Sequence, residues 1–435
     1  MPSKDSDNLF SFTLRHFQVF LQKISLSLHF FFRNELFNHA GAAAFFFILS
    51  IPPVFLLLLI AFDRYLASYA DASVMFFEFI KNINENLDKD LLAKIGLLNV
   101  DTTAIGIFGL LNLLWAGRAI ITSIQRGLGI IFPAAKKRTP LVMNIVSFII
   151  LSILLLASVL ITFLSISLNF IQTLLPESAI IQTFFQALLP ALRQFFPFVI
   201  IVILIFMAYR LVAPDKPQTT SSLISATGCT LSIFLLHMLF SRFFSFTQYS
   251  VIYGVLGSLI LMVLWVYFSF LLFFFFAEYT FVSDKLDVLV FEQMYLFRFS
   301  HSVKEKKIQK FLFNHPRRIF EKYARRYKAG EILFREGDQG TDIYFVDQGS
   351  IKIFRKIDGH DQEIDTVRAG RAFGEMAYLL NESRTATAIA ETESILLIMM
   401  PHIFEELLQA NTIFSRNIIQ VLCNRLRRTH FAERP

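Results

Sequence analysis

Up to about residue 285 the chain is aromatic and aliphatic with sparse charge, and its apolar positions come in long blocks. A bilayer core about 30 Å thick takes roughly 20 mostly apolar residues per helix. Six blocks reach that length: Ala40–Phe62, Thr103–Ile124, Leu141–Ile171, Phe196–Val212, Thr220–Phe240 and Ser250–Thr280. The first opens on small residues, Ala40 to Ala44, and then carries Pro52-Pro53. The fifth has a polar start, with Ser221, Ser222, Ser225, Thr227 and Thr230. Residues 10–37 instead interleave apolar positions with Arg15, Lys23 and Arg33, which suits a helix lying in the cytoplasmic interface of a membrane. From Tyr327 the pattern shortens to alternation. GEILFREGDQG, DIYFVDQGSIKIFRK, IDGHDQEIDTV and SILLIMM predict strands turning at Gly337, Gly340, Gly349 and Gly359. His402–Leu408 and Ile413–Phe431 then predict helices. The expected architecture is an α-helical polytopic membrane bundle of six transmembrane helices, plus a cytoplasmic β jelly roll with flanking α-helices.

Composition agrees. Of 435 residues 52 are Phe, 55% are hydrophobic and only 17% are charged, against roughly 25% charged in a soluble domain. That balance excludes disorder, collagen and coiled coil. Cys229 and Cys423 make no disulfide scaffold and no Cys-x-x-Cys pattern. The net charge of +7 is concentrated: Lys and Arg crowd residues 298–328 against only Glu305 and Glu321. Positive charge facing an anionic inner leaflet explains this stretch better than nucleic acid, for which no reading module is present. The expected divisions are an interfacial helix at 1–38, a membrane domain at 39–285, a basic juxtamembrane linker at 286–310 and a soluble domain at 311–435. Arg126, Lys136, Lys137 and Arg138 follow the second block, and Arg210 and Lys216 follow the fourth. The positive-inside rule then places both termini in the cytoplasm of a multi-pass protein of a bacterial inner membrane.

HAGAAAFFFILSIPPVFLLLLIAF resembles the opening of the YihY/BrkB family of bacterial inner-membrane proteins. LLNLLWAGRAIITSIQRGLGIIF resembles its second-helix region, and YRLVAPDKP with VIYGVLGSLILMVLWVYFSFLLFFFFAEYTF its closing half. The resemblance covers roughly residues 30–285 and implies six helices with both ends inside. It implies little chemistry. An older ribonuclease label for the family would need clustered histidines and carboxylates, whereas the nine histidines here are scattered singly. Arg118 and Glu278 are the ionisable residues inside the blocks, and so the candidates for a membrane pathway. The plainer reading has both of them at the cytoplasmic ends of their helices.

RAGRAFGEMAYLLNESRTATAIAET resembles the phosphate-binding cassette of cyclic nucleotide-binding domains, and GEILFREGD and QGSIKI precede it in that family's order. The resemblance covers roughly 311–431. It implies a site built from Phe373, Gly374, Glu375, Met376, Ala377, Arg384 and Thr385, with Glu375 on the ribose, Arg384 on the cyclic phosphate and Thr385 on phosphate or base. Physically, Phe373 to Ala377 make a tight turn exposing N–H groups to an anion, and a guanidinium pairs well with phosphate. Ser383 stands where the family often has proline. The expected ligand is cAMP or cGMP, with no cofactor, metal or DNA partner and with room for a homo-oligomer. The bland alternative is a degenerate cassette that keeps the fold and binds nothing.

Six helices followed by such a domain also outline a voltage-gated-type cation channel. That reading lacks a TVGYG-like filter and an arginine-rich fourth helix; VIIVILIFMAYR has one terminal Arg. No nucleophile–base or metal constellation points to an enzyme. Two readings stay open: a transporter or envelope protein regulated by cyclic nucleotide, and a non-transporting anchor whose sensor docks a cytoplasmic partner.

Overall fold

The computed structural model describes residues 4–61, 102–133, 195–243, 255–299 and 316–410 apart from 358, with isolated positions at 145, 149, 153, 156, 312–313, 414–416, 418–420 and 422–423. The chain forms two compact units, Ser27–Asp284 and a second made of Met1–Leu26 with Lys285–Pro435. Helix α1 (Lys4–Arg33) therefore contributes to both. The expected third block, 141–171, and the long loop after the first lie almost wholly outside the described residues.

In the membrane unit, α2 (Leu36–Ala61) runs through Pro52 and Pro53, and α3 spans Thr102–Ile131. Helix α4 (Phe195–Val212) ends in a π-turn over Ala208–Val212, followed by α5 (Thr219–Phe243) and α6 (Val255–Asp284). Among the described residues, four stretches are long and apolar enough to cross a membrane: Leu36–Pro53, Phe195–Val212, Thr219–Arg242 and Leu259–Asp284. Helix α3 is as long but carries Asn112, Arg118 and Arg126 in its body. A helix hides its backbone polarity in lipid because it satisfies its own N–H and C=O groups.

Without a hydrophobic drive between helices, close approach at small residues decides the packing. Helix α2 packs on α3 and α6, and α5 packs on α6. The core gathers Leu36, Leu128, Ile131, Tyr209 and Phe274. A Cβ on Gly127 would lie 2.4 Å from the fully buried Phe274 ring, and one on Gly228 would lie 2.7 Å from Phe276. Tyr209, inside the π-turn, donates its hydroxyl to the Phe273 carbonyl at 2.8 Å. This bond ties α4 to α6 without leaving the hydroxyl unsatisfied in the core.

In the second unit, helix α7 (Leu286–Phe299) occupies the stretch expected to open a linker. Its apolar face is covered, with Leu286, Val290, Phe291 and Met294 buried. Phe291 meets Tyr323 at 5.3 Å on α8 (Arg317–Tyr323), and Tyr295 meets Phe414 at 5.1 Å. Gln22 of α1, also buried, donates to the Leu312 carbonyl at 2.7 Å. Gln22, on the helix expected at a membrane surface, thus has a protein partner.

Eight strands follow: β1 (Ala324–Tyr327), β2 (Ile332–Phe334), β3 (Ile343–Gln348), β4 (Ser350–Ile357), β5 (His360–Arg368), β6 (Ala372–Phe373), β7 (Thr387–Ala390) and β8 (Ser394–Met399). They make two antiparallel four-stranded sheets, ordered β1-β8-β3-β6 and β2-β7-β4-β5. Alternate residues (Val346, Ile351, Val367, Ala388 and Leu396) point inward and fill the core. Helix α9 (Glu375–Leu380) interrupts the strands, and α10 (Pro401–Ala410) closes them.

Asp287 organises the start of α7. It accepts from Lys322 Nζ at 2.7 Å and the Tyr323 hydroxyl at 2.9 Å, and forms an ion pair with Arg318 Nε at 3.1 Å. Burial pushes its carboxyl towards the neutral form, but the Lys322 hydrogen bond, the Arg318 charge and Tyr323 outweigh it and hold the pKa below the ordinary aspartate value. A pKa depressed in the folded state gives stability that is present above the unfolded value and lost as pH falls through the folded one.

Two outcomes follow. Asp287→Asn is expected to loosen amide protection over 317–323 at neutral pH by about 1–2 kcal/mol, because Lys322 and Arg318 stay partly open to water. Denaturant melts of mutant and wild type should converge below the ordinary aspartate range. In the membrane unit, Gly127→Ala should lower the thermal midpoint of the detergent-purified protein, at a cost of about 1–3 kcal/mol from overpacking. Gly129→Ala, whose Cβ would have 4.0 Å of clearance to Pro214, should be neutral or slightly stabilising.

Candidate functional site

The loop that carries Arg384 is held by its own backbone before the side chain acts. Arg384 N donates to the Asp338 carbonyl at 2.9 Å, and Gly337 N donates to the Arg384 carbonyl at 2.8 Å. This ladder joins the residues after β2 to those before β7. Opposite, β6 ends at Phe373 and the chain turns through Gly374 at φ +83° into α9. A side chain is strained at that angle, and a Cβ there would lie 2.9 Å from Arg384 Nη1.

Arg384 is 4% exposed. Its Nη1 donates to the Gly374 carbonyl and its Nη2 to the Asp342 carbonyl, both at 2.9 Å. Its guanidinium carbon lies 4.3 Å from the centre of the Phe334 ring. Burial lowers its pKa from the ordinary arginine value, opposed by Tyr344, Asp342, Asp338 and Glu375. It remains cationic at any physiological pH. A buried cation cradled by carbonyl dipoles, with donors left over, is suited to an anion with several acceptor oxygens.

Of the seven residues expected here, the structure brings Gly374, Glu375 and Arg384 together. Glu375 is the first residue of α9, 1% exposed, and electrostatically coupled to Arg384. Thr385 follows Arg384, half-buried, and Met376 is half-buried on α9. Phe373 and Ala377 turn their side chains into the barrel, leaving only their backbone to a ligand. Sequence reasoning missed Phe334, Tyr344 and the Asp342 carbonyl. Their signal was faint: Phe334 sits inside GEILFREGD and Tyr344 inside DIYFV, where an apolar strand reading accounts for both.

The two membrane candidates differ in burial. Glu278 is buried at 1% exposure and accepts from Asn34 Nδ2 at 3.4 Å. Arg118 lies on an exposed face of α3. A cavity of about 340 Å³ lies between helices of the membrane unit, lined by Ile121, Ile205, Ala208, Trp265 and Phe273 among others, and is almost wholly apolar. Among the described residues no group of His, Cys, Asp and Glu is placed to hold a metal ion.

The family described as "Cyclic nucleotide-binding domain" matches residues 324–411. The chain is 30% identical over 102 residues to the cAMP-dependent protein kinase type II regulatory subunit of Drosophila melanogaster, covering 23% of this chain and 26% of that one. It is 30% identical over 104 residues to the cyclic AMP receptor protein of Thermus thermophilus, covering 24% and 48%. The chain thus spans at most about half the length of these curated relatives. A crystal structure of the Thermus thermophilus catabolite activator protein is similar at 22% identity and a TM-score of 0.25, covering 32% of this chain and 61% of that one. Towards the other end of the chain, the family described as "Virulence factor BrkB" matches residues 28–288, well over half of its length. The chain belongs to the BrkB family of membrane proteins, with a cyclic nucleotide-binding domain following the membrane helices.

Proposed function

We propose that the chain is a multi-pass protein of a bacterial inner membrane whose helical unit is regulated by a cyclic nucleotide bound in the C-terminal barrel. The observation that carries this reading is Arg384: a buried cation held by the Gly374 and Asp342 carbonyls beside Glu375. Arg384 takes the cyclic phosphate, Glu375 accepts from the ribose 2′-hydroxyl, and the Gly374 to Ala377 backbone and Thr385 complete the contact. The ligand is cAMP or cGMP, and the chain acts as a sensor, with no catalytic step. Six spans, both termini in the cytoplasm, contact of the 298–328 basic stretch with anionic lipid, and self-association all fit this reading.

One ion pair of the second unit supports this reading. Glu406 of α10 pairs with Lys285 at 2.6 Å, and Lys285 directly follows α6. Nucleotide that repositions α10 would act on this pair. The bundle shifts only if the nucleotide binds one of its states more tightly than the other.

One observation favours a second reading. Among the described residues, the cavity in the bundle is almost wholly apolar. The bundle would then be an anchor, and the barrel a sensor or docking module for a cytoplasmic partner.

The test is equilibrium titration of the full-length protein in detergent with cAMP and cGMP, beside Arg384→Ala. Saturable binding that weakens at least about tenfold in the variant is expected, since a charge-assisted contact of about 1.5–3 kcal/mol is lost. No binding by folded wild type would reduce the cassette to a structural relic. Nucleotide-dependent solute flux in proteoliposomes separates the readings, because an anchor predicts none.

A further inference from the structure

Three aromatic rings meet beneath Arg384. Phe334 ends β2, Tyr344 lies on β3 and Phe373 on β6. Tyr344 and Phe373 stack at 5.3 Å with 19° between their planes. Phe334 lies 6.1 Å from Phe373 at 30° and 5.6 Å from Tyr344 at 36°. The three rings form one tilted layer across the gap between the two sheets. Phe334 is pinned to that layer by the pairing of β2 with β7, where its partner is the fully buried Ala388.

Arg384 lies on this layer. Its guanidinium carbon is 4.3 Å from the Phe334 ring centre and 5.6 Å from that of Tyr344. The hydrogen bonds from Nη1 and Nη2 to two carbonyls fix where the guanidinium points. They do not fix its tilt, since a flat group with two anchored nitrogens still rocks about the line joining them. The ring face removes that freedom, because the aromatic quadrupole attracts a cation lying against it. A leucine would fill most of the same volume and supply no such face.

We infer that Phe334 is the positioning residue for Arg384, holding the guanidinium flat so that its remaining N–H edge meets the oxygens of a cyclic phosphate without reorganisation. This rests on the nucleotide-binding reading of the site. It adds to that reading a residue which does not itself touch the phosphate. Binding to a preset donor group avoids the ordering cost that a mobile side chain would impose. Phe334 therefore contributes to affinity through Arg384.

The experiment compares wild type, Phe334→Leu and Phe334→Tyr as full-length proteins in detergent, with two readouts. One is the dissociation constant of a fluorescent cyclic nucleotide. The other is the rate at which phenylglyoxal modifies Arg384 without nucleotide, followed by peptide mass spectrometry. Phe334→Leu is expected to weaken binding roughly three- to tenfold and to speed modification of Arg384, with the thermal midpoint near wild type. Phe334→Tyr, which keeps the ring, should restore both. If leucine loosens the barrel, Phe334→Met takes its place in the same comparison. An unchanged modification rate in the leucine or methionine variant overturns the inference, as does a tyrosine variant no better than leucine. Absence of nucleotide binding by wild type would overturn the functional reading instead, while the modification rates would still decide whether Phe334 holds Arg384.

Discussion

A guanidinium carries five N–H donors and a charge it does not lose, so hiding one inside a small barrel constrains everything around it. Arg384 meets that constraint with main-chain carbonyls, from Gly374 and Asp342, and not with a paired carboxylate. Carbonyl dipoles satisfy the donors without cancelling the charge, which leaves attraction for an anion. The backbone must then come very near the side chain. Gly374 lets it do so on one side, and on the other a Cβ on Gly340 would already stand 3.3 Å from Arg384 Nη2. The turn between β6 and α9, the loop after β2 and the aromatic layer are arranged around one cation.

The change of solvent explains the change of architecture along the chain. Within lipid, contacts come from small residues and buried hydroxyls: Gly127 under Phe274, Gly228 under Phe276, and Tyr209 bonded to the Phe273 carbonyl. After Asp284 charged pairs take over. Lys285 reaches Glu406, and Asp287 gathers Lys322, Arg318 and Tyr323. One residue separates α6 from α7, yet the chemistry holding them differs completely. Tyr295, between Phe345 at 6.0 Å and Phe414 at 5.1 Å, makes α7 part of the packing of the second unit.

Much of this was legible beforehand for a physical reason. Blocks of Phe, Leu and Ile without a polar face have one stable form in a bilayer, and glycine-punctuated alternation from Tyr327 onward has few outcomes other than a sandwich. The cassette was readable because Gly374, Glu375 and Arg384 must stand at set separations to meet. What could not be read were contacts whose partners are distant in sequence. Leu286, Phe291 and Met294 sit among acids and a run of basic residues, and only tertiary burial shows that they face inward. Phe334 looked like an ordinary strand residue because its neighbour, Arg384, lies fifty positions away. Arg118 and Glu278 drew attention by charge alone, and charge does not say which helices face each other.

Gln22 and Leu312 are 290 positions apart in sequence, yet they share a buried hydrogen bond. The amino-terminal part of α1 is made first, while its partner emerges only after every membrane helix has been synthesised. Closing so long a loop is entropically unfavourable and contributes nothing until late. The bond between Gln22 and Leu312 is therefore among the last contacts of the second unit to form, and that unit completes its fold only once α1 and the residues after α7 have both been made.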